Sequence, residues 1–323
     1  MSKRIETPVW NAFLHSIWPN DPANIKLLHE WLGYCLTNST DLQKFMLFIG
    51  LSRAGKGVLT KVISLLLGRK NICSPTLQGL NTSSLLHRMS LSKHAFINDA
   101  HSVSFSMRDS VLSQFKAITG EDPITFDRKY KGAMTVEPMP CRITMSTNGM
   151  PEFVDSSGAL MNRALVLPFR ESFASNPDIN LYSKISKEIE GIAQKAIQGY
   201  IRLRANNGVF TVSLDSESEK DDIKEDMFPL SNYVRNCCDL LEGAETSVDD
   251  LFVVYQFWCN TNGINSPMTK IQFSKQLRNS SLPINLHRPV VRGFKVRTYQ
   301  GIKINKQISD TISNAKRGFS PVT

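Results

Sequence analysis

An apolar run, Phe45-Met46-Leu47-Phe48-Ile49, leads directly into Gly50-Leu51-Ser52-Arg53-Ala54-Gly55-Lys56-Gly57, and a helical apolar pattern begins at Val58. A buried strand, a glycine-bounded loop ending in Gly-Lys, and a helix form a unit whose backbone N–H groups converge on a phosphate. The expected contacts run through Gly50, Ser52, Arg53, Ala54, Gly55, Lys56, Gly57 and Val58, with Lys56 reaching the β- and γ-phosphates of a nucleotide such as ATP. One position departs from the pattern. The residue after the lysine normally carries the hydroxyl that binds Mg²⁺, and here it is Gly57.

The other strands and helices can be placed around this loop. Residues 7–38 read as helical, interrupted between Pro19 and Pro22. Strands are expected at 44–49, 94–97, 142–146 and 164–167, and helices at 58–67, 107–118 and 182–204. Two short segments, 124–126 and 134–136, flank a basic turn and predict a hairpin. Strands alternating with helices around a phosphate loop imply an α/β sheet with nucleotide at the strand ends. Residues 215–226 hold seven acids against two lysines, a poorly packing run that reads as a linker. Beyond it, helices at 230–241, 248–262 and 270–279 precede strands at 289–291 and 294–299, turned by Arg292-Gly293. This is the outline of a winged-helix module. The organisation expected is a helical segment over 1–40, an ATPase core over 41–214, an acidic linker over 215–228, a winged-helix-like domain over 229–305 and a basic flexible tail over 306–323.

Net charge is +9, and residues 268–323 hold eleven Lys or Arg against Asp310 alone. Such a balance suits a polyanionic partner. In the third helix Lys270, Lys275 and Arg278, and in the wing Arg292, Lys295 and Arg297, stand where a DNA reader needs them. Six cysteines without Cys-x-x-Cys spacing point to reduced thiols in a cytosolic protein and to no zinc site. No apolar run reaches the length of a membrane span, and the first residues lack the apolar centre of a signal peptide.

Hydrolysis of a nucleotide requires more than the loop. Asp99 ends a strand about forty residues after Lys56, where a carboxylate would hold Mg²⁺ or activate water. Asn148 ends the next long strand and would contact the γ-phosphate or the attacking water. Arg163 precedes a further strand and suits an arginine finger acting on a neighbouring subunit. The basic turn within Gly120–Gly132 carries Arg128, Lys129, Tyr130 and Lys131. On a ring of subunits such tips would line a central hole and grip a phosphate backbone.

GLSRAGKG (50–57), FINDA (96–100), GEDPITFDRKYKG (120–132), TMSTNGMPEF (144–153) and SGALMNRALVLPF (157–169), in this order, resemble the superfamily-three helicases. The likeness is greatest to the helicase halves of phage and large-DNA-virus primase–helicases, and it extends from about residue 10 to about residue 305. The resemblance implies an AAA+ core, a hexameric ring, ATP hydrolysis at subunit interfaces and translocation along single-stranded or forked DNA. It assigns Lys56 to the phosphates, Asp99 to the metal-binding acid, Asn148 to the γ-phosphate sensor, Arg163 to the finger, and Arg128, Lys129 and Lys131 to the DNA-gripping hairpin. Gly57 and the single carboxylate of Asn98-Asp99 depart from many relatives, and Mg²⁺ would be held partly through water. The resemblance also implies a primase partner in cis or in trans, and a bacterial cytoplasm as the place of work. The alternative is a nucleotide-gated DNA-binding initiator that assembles without productive hydrolysis. A small P-loop kinase ranks last, since the basic hairpin and basic C-terminal module have no role there.

Overall fold

A computed structural model describes residues 5–98, 108–149, 159–227, 230–262, 264, 267–278, 280, 282–291 and 294–310. The described residues fall into two compact units that divide after Ile223.

In chain order the first unit contains α1 (Pro8–Ile17), α2 (Pro22–Cys35), β1 (Phe45–Gly50), α3 (Lys56–Leu67), β2 (Ile72–Cys73), α4 (Ser83–Ser90), β3 (His94–Asn98) and α5 (Arg108–Gly120). There follow β4 (Ile124–Arg128), β5 (Gly132–Val136), β6 (Arg142–Thr147), α6 (Ala159–Arg163), β7 (Ala164–Phe169), α7 (Leu181–Ser186), α8 (Ile189–Ala205) and α9 (Leu214–Met227), whose last turn passes into the second unit. Five strands form a sheet in the order β2-β3-β6-β1-β7, and all its pairings are parallel. Helices cover both faces, which is why β1 is an unbroken apolar run rather than an alternating one. The strand feeding the glycine loop lies between β6 and β7, both later in sequence. That makes the carboxyl end of β1 the switch point at which such sheets hold ligands.

The core joins Trp10, Phe13 and Trp31 from the first two helices to Phe48, Leu167 and Phe169 of the sheet. Helices α1 and α2, which fall in the helical segment expected over 1–40, contribute to this core. The α2 and α8 backbones approach so closely that a Cβ on Gly33 would lie 2.1 Å from the Ala196 carbonyl, and one on Gly199 would lie 2.3 Å from that of His29. The helix start at Asp21 is fixed by its carboxylate, which accepts from the N–H groups of Ala23 and Asn24, with Pro22 in the first turn.

Two expectations are corrected in this unit. The single helix over 182–204 is two, α7 and α8, separated at Lys187-Glu188. The Glu188 carboxylate is turned to α1, where it accepts from the N–H groups of Val9 and Trp10 at 3.0 and 2.9 Å. It satisfies donors that the start of α1 leaves open. The acidic run at 215–226 is helical rather than poorly packing, and the division between the two units falls within it. Asp215 and Glu217 favour the first turn of a helix. Arg170 neutralises Asp215 and Glu219 at 2.7 and 3.0 Å, and Ile223 is buried.

The second unit contains α10 (Ser231–Cys237), β8 (Cys238–Ser247), α11 (Val248–Thr261), α12 (Lys270–Arg278), β9 (Asn285–His287), β10 (Val290–Val291), β11 (Phe294–Lys295) and β12 (Thr298–Ile304). β8, β12 and β9 form an antiparallel sheet with β12 central, and β10 pairs with β11 as a short hairpin. The expected helix over 230–241 stops at Cys237. Cys238 turns extended and opens the ten-residue strand Cys238–Ser247, which pairs with β12 and overrides the apolar pattern that continued the helix. Residues 306–310, expected as a flexible tail, are helical, and Asn305 Oδ1 accepts from the N–H of Ile308. Tyr233, Tyr255 and Phe273 pack edge-on and tilted at 5.0–5.7 Å to form the centre of this unit's core.

Candidate functional site

The loop after β1 takes positive φ at Gly50, Arg53 and Gly55. Gly50 sits at φ +132°, and a Cβ there would lie 2.1 Å from the Phe169 carbonyl oxygen, so only glycine fits. That carbonyl also accepts from the N–H of Leu51 at 2.9 Å. Arg53 and Gly55 take positive φ, at 56° and 96°, and the loop closes into α3 as the Gly55 carbonyl accepts from Val58 and Leu59. Ala54 is buried beneath the loop, and Ser52 and Arg53 face outward. The start of a helix favours an anion, since its first N–H groups lack helical acceptors.

Lys56 is buried at 8% exposure. Its ammonium donates to the carbonyls of Gly50 and Leu51 at 2.6 and 2.8 Å and to Oδ1 of Asn148 at 2.8 Å. The parallel register that sets Ile49 opposite Thr147 carries Asn148 to the mouth of the loop. The expected γ-phosphate sensor and the expected phosphate lysine, 92 residues apart in sequence, are therefore in direct contact. The third member, Asp99, lies outside the described residues. It follows β3, whose last residue Asn98 pairs with Ser146 one strand away from β1.

Beside the loop lies a cavity of about 900 Å³. Phe13, Val58, Phe173 and Leu181 supply apolar walls, and Arg53 and Lys61 stand at its rim. This arrangement suits a flat ring with a few polar edges next to a phosphate site. Sequence reading missed the 173–181 wall, because nothing in its composition distinguishes it from a surface loop. A triphosphate would lie over the loop, at the N–H groups that the start of a helix leaves open. Among the described residues no group of three or more His, Cys, Asp or Glu stands together to hold a metal ion. Gly57 is exposed, and a Cβ built there meets nothing within 4 Å.

Arg163 does not point into open space. Its guanidinium donates to the Lys116 carbonyl at 2.6 Å and to the Thr119 hydroxyl at 3.2 Å, capping the end of α5. The turn that follows α5 is held from another side as well. Gln43 Nε2 donates to the Gly120 carbonyl at 3.1 Å and the Thr40 hydroxyl to Glu121 at 2.5 Å, with Glu121 itself at φ 64°. From this fixed base rises the β4–β5 hairpin. At its tip Tyr130 takes φ 63° and is 92% exposed, with the Lys129 ammonium 5.1 Å from its ring centre. Arg128, Lys129 and Lys131 border a hollow against Ser83, Ser84 and His87 of α4. Helix α4 was not anticipated, although Thr82 ahead of Leu85, Leu86 and Met89 is a legible start signal.

In the second unit Lys275, Arg278 and Arg297 are exposed, while Lys270 forms an ion pair with Asp249 in the first turn of α11. Lys295 lies in β11 opposite Val290, and Arg292 is outside the described residues. No described helix is long and apolar enough to cross a membrane.

Residues 48–163 match a family of unknown function (DUF5906), a span that holds the glycine loop, the hairpin and Arg163. Residues 225–313 match the family described as poxvirus D5 protein-like. Among solved structures, the apo NrS-1 C-terminal region is similar at 14% identity with a TM-score of 0.53, over 94% of this chain and 77% of that one. Its A form is similar at 14% identity and a TM-score of 0.55, over 93% and 76%. These likenesses establish a shared fold.

Proposed function

We propose that this chain is an ATP-driven DNA helicase of the replication primase–helicase type, built on an AAA+ core with a winged-helix module after it. The observation that carries the reading is the contact between Lys56 and Asn148 at the switch point of a parallel sheet, beside a cavity sized for a nucleotide. The match of residues 225–313 to the poxvirus D5 protein-like family supports a replication role, as does the fold shared with the NrS-1 C-terminal region. The interleaved helices and strands of the second unit, with a short hairpin ahead of β12, support the winged-helix assignment.

In this reading the loop N–H groups and Lys56 bind the β- and γ-phosphates, and Asn148 orients the attacking water. Bound Mg²⁺ would neutralise developing phosphate charge, with Asp99 as its protein ligand. Arg163 is assigned to the nucleotide of a neighbouring subunit in a homo-oligomeric ring, which requires it to leave the end of α5. Arg128, Lys129 and Lys131 grip the backbone of single-stranded DNA.

The test is steady-state phosphate release by the purified chain with and without single-stranded DNA. DNA-stimulated turnover is expected, and Lys56→Ala should abolish it. Turnover unchanged in Lys56→Ala would refute the nucleotide site. Nucleotide binding without any turnover would favour the second reading, an initiator gated by nucleotide, for which Gly57 and Asn98 are the supporting residues.

A further inference from the structure

Helix α12 has two faces of opposite character. Phe273 and Leu277, four residues apart, are fully buried, and Phe273 packs on Tyr233 and Tyr255. On the other side Ile271, Lys275 and Arg278 fall at i, i+4 and i+7, a single stripe along the helix. Ile271 is 82% exposed, and both cations are exposed. Neither Lys275 nor Arg278 hydrogen-bonds or pairs with an acid among the described residues. Lys270, off this stripe, is held by Asp249. The first turn is locked by a reciprocal cap: Thr269 N–H donates to Gln272 Oε1 at 2.9 Å, and Gln272 N–H to the Thr269 hydroxyl at 3.4 Å. The stripe is thus presented on a fixed start and a buried back.

A single exposed isoleucine is ordinary on a protein surface. This one leads a row whose next two members are unpaired cations, in a unit that also exposes Arg288, Arg297 and Lys303. The charge selects a polyanion. A helix fits the major groove of duplex DNA, where its first residues meet base edges. The apolar group offered there is the 5-methyl of thymine. Ile271, the second residue of α12, has no donor or acceptor and matches that group alone.

We propose that α12 enters the major groove of duplex DNA with Ile271 packed on a thymine methyl, and with Lys275 and Arg278 on neighbouring phosphates. This rests on the reading of the second unit as a DNA-binding module. It adds a partner, duplex rather than single-stranded DNA, and selectivity for thymine at one position.

The test uses the full chain. Duplexes are selected from a randomised pool, and affinity is then measured on the selected duplex with thymidine or deoxyuridine at the enriched position. One thymine position is expected to be enriched, and its replacement by deoxyuridine should weaken binding about four-fold, the value of one buried methyl. Ile271→Ala should bind the two duplexes equally, and Ile271→Val should keep most of the preference. Lys275→Ala and Arg278→Ala should weaken all duplexes alike, each lowering the salt slope by about 0.9. A deoxyuridine penalty that persists in Ile271→Ala overturns the assignment. So does the absence of any enriched position while the cation variants still lose affinity, which leaves the DNA-binding reading standing. Cation variants with unchanged affinity and salt slope would overturn that reading itself. If Ile271→Ala then altered self-association in the same samples, the stripe would be a protein contact.

Discussion

Lys56 and His94 show how burial decides what a single side chain does. The lysine is enclosed at the mouth of the loop with three oxygens around its ammonium. His94 lies within the sheet, with Nε2 3.0 Å from the Thr144 hydroxyl and Nδ1 3.6 Å from the Cys35 sulfur. Burial, with the positive charge of Arg142 adding to it, pushes its pKa down to about 3. His29 is lowered to about 3 by burial and by Lys195 and Arg202. Both are neutral in the folded chain at pH values where the unfolded chain takes up protons. Their contribution to stability is present above about pH 6.5 and is lost as pH falls from there toward 3, by about 1.4 kcal/mol per pH unit for each. Replacing His94 with Gln should flatten the fall in urea-unfolding stability between pH 6 and pH 4, and an unchanged slope would refute the assignment. Gly57 supports a second expectation. Since a side chain there meets nothing within 4 Å, Gly57→Ser should fold with unchanged or slightly higher melting temperature. It should also lower the Mg²⁺ concentration for half-maximal hydrolysis. A large loss of melting temperature would show that position 57 is closed to side chains.

The hairpin is the element whose function depends most on how it is mounted. Its strands are short, and the Thr125–Thr135 hydroxyl pair at 2.8 Å is a modest cross-strand tie. Its base is held by contacts from Thr40, Gln43 and Arg163, three points distant in sequence. Lys129 and Lys131 at the tip carry none of that support. Changing both to Ala should leave basal ATPase intact and abolish unwinding. The slope of binding against salt on single-stranded DNA should fall by about 1.4. Unwinding that survives would reduce the hairpin to a turn. Helix α9 illustrates the opposite case. An acidic run with little apolar content becomes ordered because Arg170 supplies the counter-charge and Ser213 and Ser216 both donate to Asn24.

At the scale of the whole molecule the ring reading turns on where Arg163 acts. Within one chain it caps α5, and the ring reading needs it at a neighbour's γ-phosphate. Arg163→Ala and Lys56→Ala chains, each inactive, should recover hydrolysis when mixed, because a mixed interface holds one intact loop and one intact arginine. Lack of recovery would leave Arg163 as a cap whose loss acts inside its own chain.

The glycine loop, the flanking strand and helix, and the strand-end position of Asn148 were all legible in the sequence. Each is set by local rules, glycine where φ must be positive and apolar runs where a strand is covered on both faces. The hairpin and the third helix of the second unit were legible for the same reason. Four other features were not. Cys238 leaves the helix because β12, sixty residues away, offers hydrogen bonds to an extended strand. The helix over 182–204 breaks because Glu188 is needed by the start of α1. Arg163 is turned inward by carbonyl and hydroxyl oxygens of α5 that no spacing reveals. Ile271 is exposed because Phe273 and Leu277 take the buried side of α12. Local propensity and periodicity thus determined the loop and the elements around it. Tertiary contacts decided which polar groups meet and which apolar groups stay outside, since those depend on partners far away in the chain.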